Sequence, residues 1–349
     1  MTWRWLLLAR VPWSVRPSLR TRTSSTAPRP RCTSHTRFVT DHATHACQRR
    51  PPASAAPAPA RVRQALIADD SLDIVYIATP SLRHVEDSLA CLRAGRAVLC
   101  EKSMAPTAEE AEQVLALARE RKLFFCHGVW SRFFPVMTKL REVIDSGVIG
   151  EVCSAHASFC QADGAGSCSA TLETGIYCAQ FLLWAFGGER AEAPRVSGVT
   201  YDLHPDSGLD QHVCALLHFG GGDGAPRGVG TLECSLRHPS PRAATICGTK
   251  GVIRVAYPFW CPTSFTVQTM TGVSSQTWSD ETEHSVPLPA DIRGDFNFVN
   301  SQGLAYEAAE ATRCVRAGEL EPAAFDSEAC LKVMRVISEV RSHFVGSEK

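Results

Sequence analysis

Three groups of residues in this 349-residue chain have the types and spacing for proton-coupled chemistry on a small polar molecule. Cys100-Glu101-Lys102 closes a short apolar run beginning at Ala97, and the carboxyl end of a parallel strand is where open α/β sheets bind ligands. A lysine there, partly desolvated and beside a carboxylate, can hydrogen-bond a substrate hydroxyl and tune proton transfer. In solvent it would be an ordinary loop lysine. Thr79-Pro80-Ser81, with His84, closes the preceding apolar run, so its hydroxyls and backbone could line the same crevice. His84 can equally be a satisfied histidine at a helix N-terminus. Glu173 and Tyr177 are spaced i and i+4, on one face of an expected helix. A tyrosine beside a lysine can give a proton to a carbonyl or take one from an alcohol, the cation lowering its pKa. The alternative for Tyr177 is a core aromatic with its hydroxyl bonded to backbone.

The elements that must position these groups are legible from Leu66 onward. Leu72 to Ala78 reads as a strand buried on both faces of a parallel sheet. Leu82, Val85, Leu89 and Leu92 follow at helical spacing, with Gly95 as the helix stop. Ala97 to Cys100 is a second strand, Thr107 and Glu110 form a capping box for the next helix, and Leu123 to Cys126 is a third strand. This alternation predicts the later half of a doubly wound sheet. Beyond Glu151, Cys153, Ala155, Ala157 and Phe159 alternate with polar residues as a half-buried strand does. A helix is expected over 172–186, then strands at 196–203, 213–219, 229–235, 243–247, 252–257 and 265–271, with Gly220 to Gly224 as a hairpin loop. Helices at 304–317 and 327–344 close the chain. The fold class is therefore α/β: a partial Rossmann-type parallel sheet over residues 64–150, followed over 151–349 by an α+β domain with a large, mostly antiparallel open sheet. An open sheet face must be buried somewhere, and a homodimer is the expected solution.

Composition narrows the partners. Lysine plus arginine balances aspartate plus glutamate at 36 each, which gives no reason to expect nucleic acid or an acidic membrane surface. The 15 cysteines include no C-x-x-C pair and no His/Cys cluster at zinc spacing, so they read as buried hydrophobes in a reducing compartment, with no metal expected. No apolar run reaches the roughly 20 residues that span a bilayer. Residues 1–63 hold twelve arginines, no lysine, one acid (Asp41) and eight prolines, and are expected to be a disordered, atypical leader. The expected location is cytoplasmic; an arginine-rich, acid-poor start also suits mitochondrial targeting. The first glycine is Gly95, whereas a pyrophosphate-binding turn needs glycine where backbone approaches phosphate.

Ile77-Ala78-Thr79-Pro80 through His84, with Gly95 through Lys102, resembles the Gfo/Idh/MocA oxidoreductase family. Val129-Trp130-Ser131-Arg132-Phe133-Phe134-Pro135, Gly175-Ile176-Tyr177-Cys178, Gly248-Thr249-Lys250-Gly251, Trp260-Cys261-Pro262-Thr263 and Tyr306-Glu307 are similar to its dihydrodiol dehydrogenase branch. The resemblance covers about residues 66–345 and implies NADP as cofactor, with NAD as the alternative. It also implies a small-molecule diol or sugar substrate: trans-dihydrodiols of aromatic hydrocarbons oxidised to catechols, and D-xylose oxidised at its anomeric carbon. Carried over by motif, Tyr177 and Lys102 would be the catalytic pair. Tyr76, Thr79, His84, Glu101, Lys102 and Glu173 would lie at the cofactor, and Trp130, Phe159, Trp260 and Phe296 would wall the substrate site. The chain departs from the family's pattern with Ser103 in place of proline, expected to loosen the turn that aims Lys102, and with Glu173 in place of aspartate. It is also expected to lack the whole first βαβ unit, which holds the glycine turn that cradles pyrophosphate. The alternative is a catalytically impaired variant acting only as a dimerising or sugar-binding module.

Overall fold

Two sheets, one parallel and one mixed, meet along the segment that carries Lys102. The computed structural model describes residues 64, 67–187, 193–220, 228–272, 277–290, 292 and 298–344, and the backbone alone of 5–9 and 37–40. In the first sheet β1 (Trp5–Ala9), β2 (Arg37–Thr40), β3 (Ile74–Ala78), β4 (Ala97–Glu101) and β5 (Phe125–Gly128) run in the order β2-β1-β3-β4-β5. Every pair is parallel, with Leu7 opposite Phe38 on one side and Tyr76 on the other. The three strands expected from sequence are thus joined by two more. The leader expected to be disordered over 1–63 differs at these positions: the otherwise open edge of β3 offers backbone donors and acceptors that β1 takes up, and β2 pairs in turn with β1. The rest of that leader lies outside the described residues. Strand order reverses between β1 and β3, the switch point outside which ligands of doubly wound sheets bind.

Helices α1 (His84–Arg93) and α2 (Ala108–Arg121) are the crossovers. Thr107 caps α2 through its side chain and Glu110 N–H, as the capping box requires. The buried face of α1 carries His84, Asp87 and Ser88 beside Cys91 and Leu92, while Leu82 just before it is exposed. Apolar spacing therefore located the helix, with Val85, Leu89 and Leu92 packed on the core, but not the polar residues that share its buried side. The polar side chains face inward because His84 and Asp87 have partners on the strand-end loop. Residues 135–145 form a helix not expected above, α3 (Pro135–Asp145), with proline in its first turn and Val136, Met137, Leu140, Val143 and Ile144 buried along one side.

The second sheet has eight strands in the order β13-β12-β11-β10-β6-β9-β8-β7. They are β6 (Val152–Cys160), β7 (Arg195–Leu203), β8 (Asp210–Phe219), β9 (Gly228–Ser235), β10 (Ala244–Gly248), β11 (Gly251–Val255), β12 (Ser264–Thr269) and β13 (Thr282–Ser285). All neighbours are antiparallel except β6 and β9. The expected hairpin loop at Gly221 to Gly224 lies outside the described residues. Helix α4 (Ile176–Ala185) is buried at every position, packed on the inner face of this sheet, and α5 (Leu304–Ala317) and α6 (Ser327–Ser342) complete the fold.

One wide π-helical turn, Thr171–Gly175, leads into α4, where sequence suggested continuous helix from 172. Asp210 at the start of β8 holds it: the buried carboxylate accepts from Ser169 Oγ at 2.5 Å, Thr171 N at 2.7 Å and Thr171 Oγ1 at 2.5 Å. Such turns occur mostly at functional sites, and this one carries Glu173. Asp210→Ala would leave three buried donors unpaired, and urea unfolding is expected to show a loss of roughly 3 kcal/mol. A change below about 0.5 kcal/mol would contradict this anchoring role.

Candidate active site

At the end of β4 the backbone brings Lys102 to the π-helical turn. Lys102 Nζ lies 2.7 Å from Glu173 Oε2 and 3.2 Å from the Glu173 carbonyl oxygen. Beside it Ser103 Oγ donates to the Leu172 carbonyl at 2.9 Å. Three contacts therefore stitch the parallel sheet to the second one. Ser103 does not leave the turn loose: its hydroxyl holds Leu172 and its carbonyl takes one ring nitrogen of His84 at 2.7 Å. A proline at 103 could not donate the first of these bonds.

Tyr177, on the first turn of α4, has its ring centroid 5.8 Å from Lys102 Nζ. Trp130 Nε1 donates to its hydroxyl oxygen at 2.8 Å. Phe159 stacks on Tyr177 with centroids 5.7 Å apart and on Trp260 at 4.1 Å. The structure thus gathers Trp130, Phe159 and Trp260 around Tyr177; Phe296 lies outside the described residues. Tyr76 donates from its hydroxyl to Glu101 Oε1, and Lys102 N donates to Glu101 Oε2 at 3.2 Å. A cleft of about 650 Å³ opens beside these groups, lined among others by Thr79, His84, Glu101, Lys102, Glu173 and Arg341. Tyr76 and the aromatic group around Tyr177 stand behind that lining rather than in it.

The electrostatics correct one expectation. Burial raises the pKa of Tyr177 and outweighs the opposing pull of Lys102, so the phenol is neutral at physiological pH rather than lowered by the cation. Burial works against the charge of Lys102, but Glu173, first among several neighbours that include Glu101, tips the balance and keeps the ammonium charged. Burial alone would lower the pKa of His84; the adjacent Cys100 sulfur and the carbonyls of Ser103 and Thr79 outweigh it and raise it from 6.5 to about 9. Its two ring nitrogens face two carbonyl oxygens, at 2.7 and 2.6 Å, and only an imidazolium can donate to both. Buried His127 is instead lowered to about 3 by desolvation, then by the charges of His84 and Lys102. It is a neutral acceptor for Met104 N at 3.2 Å.

Two groups went unnoticed in the sequence as parts of this site. Glu307 on α5 is buried, and burial followed by the charge of Glu101 pushes its carboxyl well above the usual range. A protonated Glu307 therefore backs Glu101 and Tyr76, whose own pKa is raised by burial and then by Glu101. Asp87 accepts from Thr79 Oγ1 at 2.9 Å and pairs with Arg83 at 3.1 Å, fixing the loop after β3. The available signal was an acid eight residues beyond the loop threonine it holds, in the first turn of the helix.

Two family descriptions match: "Oxidoreductase family, NAD-binding Rossmann fold" over residues 31–128 and "GFO/IDH/MocA C-terminal domain" over 137–254. The first begins within the segment expected to be a leader. Similar proteins include the trans-1,2-dihydrobenzene-1,2-diol dehydrogenase of Homo sapiens, 33% identical over 79% of this chain and 78% of that one. The enzyme of the same name from Mus musculus is 35% identical over 72% of each chain. Among solved structures, a 3-ketoreductase from Actinomadura kijaniata, in complex with TDP-benzene and NADP, shares the fold with a TM-score of 0.65 at 24% identity over 80% of each chain.

His84 gives the site a measurable pH signature. Its folded-state pKa is raised, so its stabilisation is complete below about pH 6.5 and is lost as pH rises through about 9. Urea unfolding at pH 6 and pH 10 is expected to show the native protein losing roughly 3 kcal/mol relative to His84→Gln. A difference that stays constant with pH would contradict the charged imidazole.

Proposed function

The chain belongs to the GFO/IDH/MocA oxidoreductase family, and from that premise we propose an NADP-dependent dehydrogenase for trans-dihydrodiols of aromatic hydrocarbons and for D-xylose at its anomeric carbon. The observation that carries this reading is the triad of a charged Lys102 anchored on Glu173, a neutral Tyr177 within reach of it, and a cleft at the carboxyl ends of β3 and β4. The relatives are named as dehydrogenases of trans-1,2-dihydrobenzene-1,2-diol.

The residues on the cleft fit the nicotinamide end of the cofactor. Thr79, His84, Glu101, Lys102 and Glu173 line it beside the switch point, and the buried Arg341 Nε has no hydrogen-bond partner there. When bound, NADP supplies the acceptor for the hydride leaving the substrate's secondary alcohol carbon. Lys102 keeps its charge throughout and stabilises oxygen as it becomes alkoxide. Tyr177 holds the proton that passes between phenol and substrate oxygen. Because Trp130 donates to the phenol oxygen, the hydroxyl hydrogen of Tyr177 remains available to substrate. Oxidation needs the phenol to lose a proton that burial makes it keep, so the oxidative direction is favoured at alkaline pH.

The outer face of the eight-stranded sheet is where two copies would meet in a homodimer. Residues before Gly95 contain no glycine, which favours one second reading: a chain that keeps the dimerising or sugar-binding face and holds nucleotide poorly.

Tyr177→Phe is expected to lower kcat for the dihydrodiol and for D-xylose about 10³-fold, with KM for NADP nearly unchanged. Parallel losses in both would contradict the assigned role. In the native enzyme, the oxidation rate is expected to keep rising through pH ~10, the ordinary tyrosine pKa, because the phenol titrates above it. A plateau near neutrality would assign the proton transfer to another group.

A further inference from the structure

The outer face of the second sheet holds a cluster that hydride transfer does not use. Cys160 ends β6, Glu233 lies near the end of β9, and His238 lies in the connection that leaves β9. The register puts Ser158 opposite Glu233, Glu233 opposite Cys214 and Ser235 opposite His212, so Cys160, Glu233 and His212 project from one face. The Cys160 sulfur, a Glu233 oxygen and a His238 ring nitrogen all lie within 4.8 Å of one another. The rings of His212 and His238 meet edge to face with centroids 4.8 Å apart.

A second observation points into the same space. His212 Nε2 is buried and has no hydrogen-bond partner, although Glu233 Oε1 is 3.5 Å away. A ring nitrogen shielded from water and without a hydrogen-bond partner is open to a ligand. His238 Nδ1 stands 3.2 Å from the Pro239 carbonyl; donation there leaves the Nε2 lone pair for a metal. Backbone bonds brace Cys160 on both sides, its N–H donating to Ser240 Oγ at 3.1 Å and its carbonyl accepting from Ser240 N at 3.2 Å.

We propose that Cys160, Glu233, His238 and His212 bind one divalent transition metal of the zinc class. One sulfur, two imidazoles and one carboxylate are a tetrahedral donor set of borderline softness, which suits zinc and disfavours magnesium or calcium. Zinc bonds of 2.0 to 2.3 Å place tetrahedral ligand atoms roughly 3.3 to 3.8 Å apart, so side-chain rotations bring Cys160, Glu233 and His238 in from their 4.8 Å spacing, and His212, already 3.5 Å from Glu233, turns in as the fourth ligand. Binding forms the metal–sulfur bond and releases the thiol proton to solvent. No Cys/His spacing in the sequence marks the site, because its ligands come from separate strands that only the sheet brings together. The metal would pin the ends of β6 and β9 to the start of β8. Cys160 directly precedes Gln161, which with Asp163 and Gly164 lines the catalytic cleft, so the same pin would steady that loop.

The test is titration of the chelator-treated full chain with Co²⁺, read by the thiolate-to-cobalt charge-transfer band. The expected result is saturation at about one ion per chain. The band should vanish in Cys160→Ser and persist in Cys153→Ser, which alters an exposed thiol of the same strand. His238→Ala is expected to weaken binding at least tenfold and decides the matter should Cys160→Ser fail to fold. Absence of the band, its survival in Cys160→Ser, or unchanged affinity in His238→Ala overturns the site. Nucleotide binding and turnover play no part in this readout, so its failure and that of the dehydrogenase reading are separable.

Discussion

The ion pair between Lys102 and Glu173 is the contact on which the rest of the site depends. It joins the carboxyl end of a parallel strand to the turn that starts the buried helix of the other sheet, and it holds a cation in a partly desolvated place. Partly buried charges of this kind are tolerated only when well paired, and losing one partner strands the other. Glu173 in turn needs the turn fixed by Asp210, and Lys102 needs its loop fixed by Ser103 and His84. The distance from Lys102 to Tyr177 follows from these anchors rather than from a direct bond between them.

A second constraint runs through the surroundings of that pair: polar groups are buried where they hold loops in place. His84 spans the ends of β3 and β4 by donating to a carbonyl on each, and Asp87 secures Thr79 from the same helix. Around Tyr177 the environment is aromatic, which raises the phenol pKa and leaves a proton donor beside a fixed cation. Glu307, kept protonated beneath Glu101, allows two carboxyls to share a buried corner without two charges.

Much of the fold was legible because periodicity separates its parts. Continuous apolar runs gave β3 and β4, alternation gave β6, and helical spacing placed α5 and α6 closely. The inner face of α1 was legible only in part: Leu92 is buried as its spacing implies, but His84, Asp87 and Ser88 share that side, residues that hydropathy assigns to solvent. The π-helical turn was hidden as well: its register is set by Asp210, a residue distant in sequence. Of the site residues, Thr79, His84, Glu101, Lys102 and Glu173 do meet at one cleft, and Trp130, Phe159 and Trp260 do surround Tyr177. The sign of the Tyr177 shift could not be read from its neighbours in sequence, because it depends on how completely the ring is enclosed.

The backbone of β1 and β2 extends the parallel sheet past its switch point, yet the chain before Gly95 offers no glycine for a phosphate-binding turn. The claim most exposed by that conflict is cofactor binding, and titrating the full chain with NADPH while following cofactor fluorescence tests it most directly. A hydride-transfer site at Lys102 predicts saturable binding in the micromolar range, weakened by Lys102→Ala. No saturation, or binding indifferent to Lys102→Ala, would contradict it.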